Sequence, residues 1–178
     1  ARRSGDERAL FEVLVSQKKY AREHHRFQLY VSSSTSLDSI SQHTADPIIS
    51  RDATTDMATT AEASGDYLRA VSLYKGILAD PEAMEPSYQK DVLITGTLDK
   101  LSELCQECGR NDESIEYARR NLVYKKTGDT RSNLGLALTY HRISTVYAAL
   151  NDSASAALYA DSIGMVADST QEAFYRAY

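Results

Sequence analysis

Cys105 and Cys108 form the one C-x-x-C in the chain, a spacing that serves zinc or thiol–disulfide chemistry in other settings. A zinc site needs two further ligands, and neither a second C-x-x-C nor an H-x₃₋₅-H is present. A redox pair would open a helix that follows a strand. Here Leu98, Leu101, Leu104, Cys105 and Cys108 recur at spacings of three and four, which places the thiols on the apolar face of one amphipathic helix. They read as buried free thiols. That suits a reducing compartment somewhat better than an oxidising one without excluding the periplasm. His24 and His25 are adjacent, so a helix points them apart, and His43 stands alone. His141 is a packing histidine or a ligand contact. Neither a glycine-rich phosphate loop nor a Ser, His and acid set occurs in a recognisable motif, so no catalytic residue and no cofactor is assigned. Asn151-Asp152-Ser153 matches a glycosylation acceptor but reads better as a turn and helix cap. The enzymatic or metal-binding alternative is a helical scaffold presenting Cys105, Cys108 and His141.

The elements that carry these residues are helices. The chain has 178 residues, 42% hydrophobic and 25% charged, with three prolines, eight glycines and no strand-like alternation, so the fold class is all-α with a substantial core. A net charge of −5 with scattered basic residues argues against nucleic-acid binding, and Lys18-Lys19 and Lys125-Lys126 read as solvated helix faces. No run reaches the roughly 18 to 20 apolar residues that cross a bilayer. The N-terminus lacks the apolar core of a secretory signal, although a signal already removed leaves no trace. Localisation stays open between the cytoplasm and the bacterial periplasm.

In chain order, residues 1–45 hold N-terminal helices. Gly5-Asp6 precedes a helical pattern from Leu10 to Val31 that reads as the second helix of a hairpin. Ser32 to Ser36 is the expected break, with Glu23 to Arg26 the competitor. Residues 46–168 hold three hairpins, at about 48–81, 86–125 and 130–167, turning at Gly65, Gly109 and Asn151. Pro86 is expected to open the long helix that ends at Cys108. In the last hairpin Leu134, Leu138, Ile143, Val146, Tyr147 and Leu150 are expected to pack against Ala156, Tyr159, Ala160 and Ile163. After Asp168-Ser169, residues 169–178 read as the start of a further helix, which suggests an excised segment of a longer protein.

The hairpin from Leu98 to Val123 resembles a tetratricopeptide repeat, whose landmark glycine, small residue and second small or aromatic residue fall at Gly109, Ser114 and Ala118. Ala70, Tyr74 and Pro81 fit the same pattern one unit earlier. The turn spacings of 44 and 42 exceed the roughly 34 of the plain repeat and are similar to the extended units of bacterial peptide-sensing regulators and sensor kinases. The resemblance implies an α-solenoid of antiparallel hairpins in a right-handed superhelix, working as a non-catalytic protein- or peptide-binding segment of a bacterial signalling protein. First helices would line a concave groove with Asp52, Thr55, Thr59 and Glu62, then Asp99, Glu103, Gln106 and Glu107, then Leu138, His141, Thr145 and Ala148. Such a groove is acidic at its centre and lacks the Lys and Asn arrangement with which chaperone-type members clamp a carboxylate. A basic or neutral peptide is the expected partner, and a second copy of the chain is a candidate through the open ends.

Overall fold

A computed structural model describes the backbone of residues 2–82, 87–128 and 132–177, and the side chains of residues 6–79, 87–128 and 132–168. Among the described residues the chain is all-helical: α1 (Arg2–Glu23), α2 (Phe27–His43), α3 (Pro47–Ala63), α4 (Tyr67–Glu82), α5 (Tyr88–Glu107), α6 (Asn111–Thr127), α7 (Asn133–Ala149) and α8 (Ser153–Ala177). None of these helices is long and apolar enough to cross a membrane.

One device closes four hairpins. His25, Gly65, Gly109 and Asn151 have φ of 54°, 79°, 70° and 59°, the left-handed conformation that ends a helix and reverses the chain. At each, the next residue's N–H reaches back to a carbonyl of the preceding helix: Arg26 to Ala21 at 2.7 Å, Asp66 to Ala61 at 2.9 Å, Arg110 to Cys105 at 2.8 Å and Asp152 to Tyr147 at 3.0 Å. This is the Schellman closure, and it satisfies carbonyls that a helix end otherwise leaves open. The four turn residues lie 40, 44 and 42 positions apart. At the connectors, Asp46 caps α3 by accepting from the N–H of Ile48 at 2.9 Å, and Ser87 caps α5 by accepting from Lys90 at 3.1 Å.

Several expectations need correction. The N-terminal break lies not in the serine run but at the competing position, residues 24–26, where His25 tolerates the left-handed region better than most side chains. The serine run continues α2, because Ser32 and Thr35 donate to the carbonyls of Leu29 and Val31 one turn back rather than competing with the helix. Gly5-Asp6 therefore lies inside α1, and α1 is the first helix of a pair with α2 rather than a second helix. Ser87, not a proline, caps α5; Pro86 lies outside the described residues. Cys108 caps α5 instead of lying within it. Asp168-Ser169 does not start a new helix, since α8 runs through it.

The chain divides into two compact units, Ala1–Ile77 and Leu78–Tyr178. In the first, α1 packs on α2, α2 on α3, and α1 also touches α3. Phe11, Leu14, Leu37, Ile49 and Ala53 form its core cluster, with Val15 and Ile40 against it. In the second, α5 packs on α6, α6 on α7, α7 on α8, and α5 also touches α7. Ala118, Leu122, Leu136 and Ile143 cluster there with Tyr140, Tyr147, Tyr159 and Val166. Apolar residues lie all round α7, so periodicity alone does not select its inner face. That face is Leu136, Thr139, Ile143 and Val146, whereas Leu134, Leu138 and Leu150, expected inside, are exposed, as is Ala160 on α8. Arg119 of α6 donates to the hydroxyls of Tyr147 at 2.7 Å and Tyr159 at 3.3 Å, and these contacts, the Tyr159 bond first, raise its pKa above the usual arginine value.

The seam of each hairpin is fixed relative to its turn. Seven residues before and five after the left-handed residue stand Ala58 and Ala70 in the second hairpin, Ser102 and Ser114 in the third, Ser144 and Ala156 in the fourth. Ser102 donates to the carbonyl of Ser114 at 2.9 Å and Ser114 to that of Ser102 at 2.7 Å, a reciprocal clasp between α5 and α6. Ser144 makes the same bond to Ala156 at 2.8 Å. Small residues let the backbones approach closely enough for these bonds. The first hairpin has Lys18 and Tyr30 instead.

Candidate functional site

The face shared by α5 and α7 in the second unit carries an open cavity of about 420 Å³. Asp99, Glu103, Gln106 and Glu107 line it from α5, and Leu138, His141, Arg142 and Thr145 from α7. On each helix these positions recur at three- and four-residue steps, so one stripe of α5 opposes one stripe of α7. The opposite stripe of α5, from Ile94 through Leu98, Leu101 and Cys105, is fully buried and fixes the direction in which the acidic stripe points.

Two cations that are not among the expected groove residues reshape its charge. Lys125 of α6 is 7% exposed, and its ammonium donates to Asp99 Oδ2 at 2.7 Å, Thr139 Oγ1 at 3.0 Å and the carbonyl of Gly135 at 3.3 Å. All three of its donors are used, which is the condition for burying an ammonium without a large desolvation penalty. Arg142 donates to the carbonyl of Asp99 at 2.7 Å and lies 3.9 Å from Glu103 Oε2. Lys100 stands 3.6 Å from the same carboxylate. Asp99 is therefore ion-paired, Glu103 is shared between two distant cations, and the Glu107 side chain has no hydrogen bond or ion pair among the described residues. The negative character expected at the centre of the site is displaced toward Glu107. The reading of Lys125 as a solvated lysine is corrected: it is buried while Lys126 is exposed, and Lys18 and Lys19 divide the same way. A basic residue followed by a second one, with the first on an apolar helix stripe, is the signal that could have shown this.

The remaining expected residues are placed as follows. Asp52 is half-buried on α3 and bound by Arg8 of α1 at 3.0 Å. Thr55 donates to the carbonyl of Arg51 at 2.9 Å and Thr59 to that of Asp56 at 2.9 Å, so both hydroxyls serve their own helix. Glu62 is half-buried on the same helix. Thr145, within the α5 and α7 cavity, likewise donates to Arg142 O at 2.8 Å, and Ala148 is exposed beyond it. Cys105 is fully buried and Cys108 half-buried, and neither lines the cavity that His141 lines. Among the described residues no group of three or more His, Cys, Asp or Glu side chains is placed to hold a metal ion.

No protein-family model and no curated protein sequence matches the chain.

Proposed function

We propose that the chain is a tetratricopeptide-like α-solenoid segment, a right-handed stack of hairpins that binds a protein or peptide without catalysis across the face of α5 and α7. The observation that carries this reading is the convergence of eight side chains from two helices on one open cavity of about 420 Å³. Four hairpins closed by the same left-handed turn, three of them with small residues at the seam, support the repeat architecture. The polar lining, the single apolar contact at Leu138 and the uncompensated Glu107 suit an extended peptide that is neutral or carries Lys or Arg. A place in a bacterial signalling protein belongs to the same proposal and rests on the repeat length. Panning a random peptide library against the protein tests the site. Selected peptides should be neutral or basic and should bind the double variant Glu103→Lys, Glu107→Lys about tenfold or more weakly. The variant's melting temperature should stay unchanged, because both side chains are exposed. Peptides that bind the variant as well as the parent would place recognition elsewhere.

A further inference from the structure

The first hairpin differs from the other three at the positions where paired helices meet. Where they have Ala, Ser or both, it has Lys18 and Tyr30, with the ammonium 5.6 Å from the ring centroid. Two long side chains at a seam built for small ones leave space beside them. Three hollows adjoin Tyr30, and Lys18 lines two of them. One of about 340 Å³ is lined by Lys18, Tyr30, Ser34, Asp38 and Met57, among others. A second, of about 240 Å³, is lined by Lys18, Lys19, Arg22, Tyr30 and Asp56. The third, of about 420 Å³, is lined by Ala21, Arg22, His25, Phe27, Tyr30 and Ala63, with the hydroxyl residues Thr60 and Ser64.

The charges around the second and third hollows do not cancel. Asp56 is taken by Lys18, whose ammonium is also bonded to Thr60. The side chains of Lys19 and Arg22 have no hydrogen bond, ion pair or ring contact among the described residues, and His25 stands at the rim. Arg22 lines both hollows, so an uncompensated guanidinium stands beside a space lined by Ala21, Tyr30, Ala63 and the exposed ring of Phe27, with Thr60 and Ser64 as its polar edge. The geometry points to a binding site, in the first hairpin and α3, for a small carboxylic acid with an apolar body. The carboxylate bonds to Arg22, with Lys19 adding attraction, and the ring or alkyl portion packs against Phe27, Ala21 and Ala63. A space of about 420 Å³ is within the range of small-molecule sites. A single free guanidinium beside apolar walls matches one carboxylate better than a phosphate, which would use more donors. This site is separate from the α5 and α7 face, and neither proposal depends on the other.

Titration of the whole chain with 3-phenylpropionate, followed by calorimetry and by amide chemical shifts, tests the assignment. Saturable one-to-one binding is expected, with a Kd of about 1 mM or tighter and shifts confined to residues around Tyr30. The neutral amide of the same acid should bind at least about tenfold more weakly, and Arg22→Gln should weaken the acid by a similar factor. Arg22 is exposed, so that variant keeps the parent's melting temperature. No saturation by about 10 mM, equal binding of acid and amide, or undiminished binding by Arg22→Gln would each overturn the proposal. A short peptide ending in phenylalanine that binds more tightly than the free acid would overturn the small-molecule assignment and point to a peptide C-terminus.

Discussion

Around the same turn, the first hairpin carries Lys18 and Tyr30 while the third carries Ser102 and Ser114, and the two units follow from that difference. Each unit buries twelve apolar residues among those described, but five are alanine in the first and one in the second. The first unit fills more of its interior with alanine, and the hydroxyls of Ser33 and Ser34 are enclosed without a partner. In the second, Ser102 and Ser114 satisfy each other, although Asn121 leaves its Oδ1 unpaired while its Nδ2 donates to Thr95 O at 3.2 Å. Each unit also buries one lysine against an aspartate, Lys18 with Asp56 and Lys125 with Asp99. A fixed turn geometry thus permits either a closed seam or a hollow one, and side-chain size at two positions decides which.

Truncating a core leucine on each side gives the largest contrast. Leu101→Ala, in a dense setting, should cost about 3–5 kcal/mol, and Leu37→Ala, in a unit that already contains space and can collapse, about 2–3 kcal/mol. Urea denaturation with residue-level hydrogen exchange reads both, and a larger loss for Leu37→Ala would break the contrast. The serines should move stability in opposite directions. Ser114→Ala removes a used donor and should destabilise by about 1–2 kcal/mol, whereas Ser33→Ala removes an enclosed unpaired hydroxyl and should stabilise by about 0.5 kcal/mol. The turns give the smallest pair. Gly109→Ala meets no atom within 4 Å, so its cost of about 1 kcal/mol is backbone strain alone, and His25→Gly should recover a comparable or smaller amount. Equal melting temperatures for parent and His25→Gly would argue that the first turn is already relaxed.

Much of this was legible in the residues. Gly65, Gly109 and Asn151 announce their turns because glycine and asparagine favour the left-handed region, whereas the residues of α5 and α7 beside the cavity were expected from the repeat resemblance and not from period alone. His25 hid the first turn, since histidine adopts that conformation less often and the nearby serines offered a more familiar break. With the turn misplaced, Lys18 and Tyr30 could not be recognised as seam residues, and the hollows around them went unseen. Lys125 was missed for a different reason. Its burial depends on oxygen atoms from Asp99, Gly135 and Thr139, which only the packing of α5, α6 and α7 assembles.

The distance from seam residue to seam residue across each turn is twelve positions in all four hairpins, while the interval between successive turns drifts from 40 to 44. The difference in interval comes from helix and connector length, as in α5, which has 20 residues where α3 and α7 have 17. A one-residue insertion between Ser102 and Ser114 would rotate one helix by about 100° relative to the other and pull the clasp apart. Inserted sequence, such as an affinity tag or a reporter domain, belongs instead in the connectors after α2, α4 and α6, outside the segments that run from seam to seam.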